Sequence, residues 1–286
     1  MIEIPDIVKI QPIIGIIDYS KIKQESFINP NETIQPQPIA LSLGETEYKG
    51  NYYPIPIGSY GDFSCIVGAS KSRKTFMKSL IVAGYLGGNS SNYSDITGHN
   101  NDKFVLEFDT EQSHYHTQRV TRRVIEMIGI NDERYKSYSL RQYEPKIRFE
   151  FIEYMIMESE FINNIGLISI DGFVDLITDF NSLEQSTQLT EKLLQWTSKA
   201  NCHITGILHK NYGSSKPVGH VGSSILKKAE TVIFIEKENE LTKVNCEYSR
   251  NIPFDEFYFE VGNDWLPRVV KYTPKEILNG TKNKPF

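Results

Sequence analysis

The sequence predicts an α/β protein: a mostly parallel, twisted sheet flanked by helices and preceded by a short extended N-terminal arm. Three observations carry that expectation. From position 63 onward, compact apolar runs alternate with amphipathic stretches, the order that puts parallel strands and their crossover helices into one layered domain. The run Gly166-Leu167-Ile168-Ser169-Ile170-Asp171 is apolar at nearly every position, as a strand covered on both faces must be. Stretches between such runs repeat at helical spacing, as Leu189, Leu193 and Trp196 do.

Taken in order, residues 1–50 are rich in Ile, Pro, Gln and Asn, with an alternating run at 10–17 and Pro-Gln-Pro at 36–38. They show no long helical period and read as an extended arm with a few short strands. The domain proper is expected over 51–273, with a tail at 274–286. Within it, 63–68 is a strand and 74–86 a helix carrying Met77, Leu80, Ile81 and Leu86. A Gly-, Asn- and Ser-rich loop fills 87–102, a strand 103–108, and a helix 113–128 bears Arg119, Arg122 and Arg123. A short strand at 134–140, a helix at 144–163, the strand at 166–171 and a helix at 183–199 follow. Strands at 202–208 and 231–236 enclose a polar loop and a short helix; 241–248 and 257–261 form a closing antiparallel pair.

The composition is that of an ordinary globular chain: 286 residues, 39% hydrophobic and 23% charged. A net charge of −5 excludes a surface coated in positive charge; it leaves room for a local basic channel. Cys65, Cys202 and Cys246 lie in apolar stretches without CxxC spacing, which points to reduced, buried thiols. The first nine residues lack the basic start and apolar run of a signal peptide. No window approaches the roughly 18–20 apolar residues of a membrane span, so a cytoplasmic protein with no membrane partner is expected. His114 and His116 flank a tyrosine at a helix start and do not form a metal pair.

The chemistry centres on Gly68-Ala69-Ser70-Lys71-Ser72-Arg73-Lys74-Thr75, which follows an apolar strand and opens a helix. That is the setting a GxxxxGK[ST] phosphate loop requires. Backbone N–H groups and the positive helix end surround a phosphate, and a lysine adds full charge. Lys74 is the candidate for the β- and γ-phosphates, and Thr75 offers a hydroxyl to Mg²⁺. Arg73 stands where the second glycine is expected. It either distorts the loop, because a branched residue resists positive φ, or turns outward and adds charge.

An ATPase also needs an acid near Mg²⁺ and another to polarise the attacking water. The strand 167–171 ends in Asp171, and the strand 104–108 runs into Asp109-Thr110-Glu111. If the latter lies beside the phosphate-loop strand, Asp109 or Glu111 emerges at the carboxyl edge, where open α/β sheets bind ligands. Glu111 is the candidate base; the alternative is a surface acid capping the next helix.

With these elements in order, the chain resembles RecA-like P-loop ATPases, in particular the core of plasmid- and phage-type hexameric replicative helicases and mobile-element ATPases of the Bacteroides group. The resemblance spans roughly 54–270 and rests on 68–75, 108–111, 167–171 and 204–251. It implies that His209, ending Thr205-Gly206-Ile207-Leu208-His209-Lys210, senses the γ-phosphate; a structural histidine is the alternative. It further implies that the segment 211–220 faces a central channel, with Lys210, Tyr212, Lys216 and His220 on single-stranded DNA; a solvated loop has the same composition. Arg250, in Ser249-Arg250-Asn251, would act as an arginine finger in a neighbour's site, or else form a surface salt bridge.

The resemblance thus implies an ATP- and Mg²⁺-dependent motor on single-stranded DNA, assembled as a homo-oligomeric, hexameric ring and working with replication proteins. No primase, zinc ribbon or helicase amino-terminal domain is visible, and the loop at 173–180 is acidic. A nucleotide-gated scaffold with weak hydrolysis and a recombinase-like filament are the rival readings.

Overall fold

The computed structural model describes residues 17–87, 95–99, 102–210 and 219–270. The chain divides into two compact units, Met1–Pro36 and Gln37–Phe286. The expected tail at 274–286 lies outside the described residues.

In the first unit an extended arm was expected; instead α1 spans Tyr19–Ser26. The reason is local. Asp18 caps it, its carboxylate accepting from the backbone N–H of Ser20 and Lys21 at 3.0 and 3.1 Å, which satisfies donors that a helix start leaves unpaired. Lys21 and Glu25 pair one turn apart. Periodicity missed it because no residue of α1 is buried, so no apolar stripe marks it.

The second unit begins with a hairpin of β1 (Ile39–Tyr48) and β2 (Asn51–Ser59). β1 thus belongs to this unit although it lies on the arm side of the expected boundary at 50/51. The turn between them places Lys49 and Gly50 at φ 51° and 79°, the two positive values a two-residue turn needs to match strand twist. A short β4 (Ile96–Gly98), inside the segment expected to be wholly loop, adds to β1.

Among the described residues the main sheet has nine strands. Six are parallel: β3 (Phe63–Gly68), β5 (Phe104–Asp109), β6 (Tyr135–Ser139), β7 (Ile165–Asp171), β8 (His203–His209) and β9 (Thr231–Glu238). They lie in the order β9-β3-β8-β7-β5-β6. β10 (Leu241–Ser249), β11 (Phe257–Val261) and β12 (Pro267–Val270) continue it antiparallel beyond β9. β12 was not expected from the sequence.

Among the described residues five helices join the strands of this unit: α2 (Lys74–Gly87), α3 (His114–Ile128), α4 (Pro145–Met157), α5 (Leu183–Ala200) and α6 (Gly219–Lys228). A 3₁₀ turn follows β7 at Phe173–Leu176. Two cores cover the sheet's two faces. Met77, Leu80 and Ile81 of α2, Val124 and Met127 of α3, and Leu41 and Ile57 of the hairpin pack over Ile66, Val105, Leu167 and Ile207. On the other face Ile152 of α4, Leu189, Leu193 and Trp196 of α5, and Ile225 of α6 pack over Cys65, Leu106, Ile168 and Ile204.

The face beneath α2 also carries a polar row. Ser249, Thr231, Ser64, Thr205, Ser169, Glu107 and Ser137 are register partners on seven successive strands, so their side chains share one face. Cys65 and Cys202 are buried free thiols; Cys246 is free and half-buried.

Candidate active site

The site forms where β3, β8, β7 and β5 end side by side. β3 stops at Gly68 and α2 starts at Lys74, so Ala69–Arg73 make the connecting loop. Gly68 is required here: a Cβ would stand 2.5 Å from Ser72 Oγ and 2.7 Å from the Ile235 carbonyl. Ser72 Oγ is buried without a hydrogen-bond partner among the described residues, an acceptor or donor left for a ligand of this loop.

Arg73 adopts φ 71°, the left-handed conformation of the glycine it replaces, at a cost of about 1–2 kcal/mol. Its guanidinium turns away from the loop and donates to the Glu240 carbonyl at 2.6 Å and to Thr242 Oγ1 at 3.3 Å in the β9–β10 hairpin. Of the two alternatives left open by the sequence, the side chain takes the outward one, and the backbone keeps the glycine geometry.

Lys74 is 6% exposed. Its ammonium folds back to donate to the carbonyls of Gly68 at 3.1 Å and Ala69 at 2.7 Å. Burial lowers its proton affinity, while Glu111 and Asp171 oppose that shift. Loop residues 70–76 line a cleft of about 420 Å³ together with Glu111, Asp171, Ile207 and His209. Thr75 opens α2 on this wall.

Across the cleft, His209 Nε2 stands 3.3 Å from Glu111 Oε2. That bond, ahead of nearby lysines, holds the Glu111 carboxyl below the usual range, so it is a carboxylate at neutral pH. Asp109, the other acid considered from the sequence, is fully buried. It accepts from the N–H groups of Glu111 and Gln112 at 3.1 and 2.8 Å, which makes it the brace of the Glu111 loop. Burial raises its pKa, with Lys78 opposing.

Asp171 ends β7, 2% exposed. Its Oδ2 accepts from Lys78 Nζ at 2.9 Å, and the same ammonium is 2.8 Å from Glu107 Oε1. Tyr135 donates its hydroxyl to the other Glu107 oxygen. Nothing in the helix 74–86 by itself marks Lys78 as a residue of the site. The signal that pointed inward was Glu107, an acid in the middle of the apolar run Phe104-Val105-Leu106-Glu107-Phe108; a buried acid demands a partner.

Arg250 lies elsewhere. Ser249 is in register with Thr231, and Thr231 with Ser64 at the start of β3. Arg250, one residue further, is therefore level with Phe63 at the opposite end of the strand from Gly68, roughly 16 Å away. There it donates to Asp62 Oδ2 at 2.9 Å and to the Lys228 carbonyl at 2.6 Å. Lys210 follows β8, its N–H donating to the Gly68 carbonyl at 3.1 Å and its ammonium 5.2 Å from the Phe234 ring centroid. His220 is exposed in the first turn of α6. Tyr212 and Lys216 lie outside the described residues.

The geometry fits a nucleoside triphosphate and a divalent ion. The loop offers backbone donors, Lys74 and an unpartnered Ser72 hydroxyl; Asp171 Oδ1 accepts no hydrogen bond among the described residues. No group of three or more His, Cys, Asp or Glu there is arranged to hold a metal unaided. A Mg²⁺ ion would therefore be held jointly by Thr75, Asp171 and the phosphates it accompanies.

No family model and no curated protein matches the chain. Among solved structures it is similar to the crystal structure of the RadB recombinase, with a TM-score of 0.51 at 16% identity, covering 76% of this chain and 94% of that one. The fold is RecA-like. At that identity the likeness concerns the RecA-like fold alone; the roles of individual residues rest on the geometry above. Among the described residues no helix is long and apolar enough to cross a membrane.

Proposed function

We propose that the protein is a Mg²⁺-dependent ATPase that binds single-stranded DNA as a homo-oligomer and moves along it in the replication of a plasmid, phage or transposon. The observation that supports this best is the convergence of Lys74, Thr75, Asp171, Glu111 and His209 on one cleft around the 68–75 loop. In this reading the loop amides and Ser72 cradle the phosphates, and Lys74 leaves the Gly68 and Ala69 carbonyls for the β- and γ-phosphates. Thr75 and Asp171 would share a Mg²⁺ ion with the phosphates, and that ion would supply positive charge to the transferring phosphoryl group. Glu111, an anion one hydrogen bond from His209, orients the attacking water. Loss of the γ-phosphate alters the Glu111–His209 contact, and Lys210, next in the chain, passes that change to 211–220, where Tyr212, Lys216 and His220 are the DNA candidates.

Arg250 serves a neighbour's site in this scheme only once that neighbour's phosphates displace Asp62. The likeness to a RadB recombinase favours a second assembly, a recombinase-like filament on DNA instead of a hexameric ring; negative-stain images with ATP and single-stranded DNA separate the two. The biochemical test is ATP hydrolysis with and without single-stranded DNA. DNA should stimulate turnover, and Lys74→Ala should abolish it. Binding of ATP without turnover in the native chain would move the reading to a nucleotide-gated scaffold, and unchanged hydrolysis in Lys74→Ala would remove the assigned site.

A further inference from the structure

Lys78 lies one helical turn beyond Lys74, behind the cleft. It is 1% exposed and bridges Asp171 at 2.9 Å and Glu107 at 2.8 Å. Its ammonium lies between two carboxylates at hydrogen-bond distance, the pairing that a buried cation requires. A purely structural account is weak. Burying an ion pair costs more desolvation than apolar residues of the same volume, and Met77, Leu80 and Ile81 beside it on α2 are fully buried in an apolar core. The ammonium also sits on the carboxylate best placed to share a divalent ion.

We infer that Lys78 is a positioning residue and a built-in counter-cation for Asp171, taking over part of the share that Mg²⁺ would otherwise have in nucleotide binding. The inference rests on the ATP-site reading and extends it. One carboxylate attracts two cations less strongly than one, so Asp171 adds little to metal-assisted binding while Lys78 is present. Mg²⁺ then raises nucleotide affinity mainly through the phosphates and Thr75. Without Lys78, Asp171 must find its counter-charge in the metal, and the metal dependence of affinity rises.

The experiment measures the dissociation constant of a fluorescent ATP analogue in Mg²⁺ and in EDTA and divides the EDTA value by the Mg²⁺ value. Lys78→Met is combined with Glu107→Gln, so that one cation and one anion leave the core together; Glu107→Gln alone is the control. The ratio should rise about tenfold or more in the double variant, equivalent to about 1.4 kcal/mol, and stay at the native value in the control. An unchanged or smaller ratio in the double variant overturns the inference. Asp171→Asn, which keeps Lys78 paired with Glu107, gives an independent reading should the double variant fail to fold. It should change the ratio less than about threefold, whereas a tenfold fall means that Asp171 binds the metal at full strength and overturns the counter-cation role. If the native chain binds the analogue under neither condition, the ATP reading fails, and this inference fails with it.

Discussion

Two side chains, one buried and one half-buried, show how single groups set local behaviour. His203 is fully buried at the start of β8, its ring nitrogens 3.0 Å from the Ser59 carbonyl and 2.8 Å from Ser64 Oγ. Burial depresses its pKa, against the opposing pull of Glu230 and Asp62. The unfolded chain therefore takes up the proton more readily than the folded one. The stability His203 contributes is complete above about pH 6.5 and is lost as the pH falls from there through the lower folded value. Denaturant melts of the native chain should lose stability between pH 7 and 5, and His203→Gln should flatten that slope; an identical slope in the variant would exclude His203 as the source. Arg73 is the second case. The sequence showed that the glycine was missing, yet could not show that a backbone carbonyl of the β9–β10 hairpin accepts the guanidinium, because Glu240 is 167 positions away.

Most elements of the domain were legible because their burial is periodic. The strands at 63–68 and 257–261 have the predicted bounds, and α2, α3 and α5 begin or end within one residue of them. α4 stops at Met157, six residues short of 163, because the chain turns at Ser159, whose hydroxyl takes the Met155 carbonyl; nothing in the apolar pattern of 158–163 marks that turn. α1, β4 and β12 were missed because they are short and mostly exposed or half-buried. Much the same division holds at the site. Residues displayed by strand ends, Glu111, Asp171 and His209, could be read, while Lys78 could not, since its partners come from two other strands. α3 gives a clean test of element ends. It closes on Gly129 at φ 76°, whose N–H donates to the Ile125 carbonyl, the left-handed cap that favours glycine. An added Cβ meets nothing within 4 Å, so Gly129→Ala should cost only the backbone strain, about 1 kcal/mol. A loss above about 3 kcal/mol in urea unfolding would mean that the space is not free.

At the scale of the molecule, the sheet separates two cores of different character. The face under α4, α5 and α6 is apolar throughout its interior strands. The opposite face interrupts its apolar packing with the hydroxyl row, in which Thr231, Thr205 and Ser169 have no hydrogen-bond partner among the described residues. An unpaired buried hydroxyl carries its desolvation cost uncompensated, about 1–3 kcal/mol. Thr205→Val keeps the shape and removes the hydroxyl, so it should stabilise the chain by about 1 kcal/mol, visible as a higher urea midpoint at unchanged slope; a lower midpoint would show that the hydroxyl is bonded after all.

That row lies under the helix whose first turn carries Lys74 and Thr75. Interlocked side chains resist a small displacement because each must leave its socket, and paired polar groups resist it because a bond must break. Thr231, Thr205 and Ser169 in that row have no such bonds to give up among the described residues. The helix is held to the sheet by Met77, Leu80 and Ile81 in the apolar core and by the ammonium of Lys78, which bridges Asp171 and Glu107. That grip lies directly behind the first turn, so Lys74 and Thr75 meet the cleft on a floor tied to the strand that ends in Asp171.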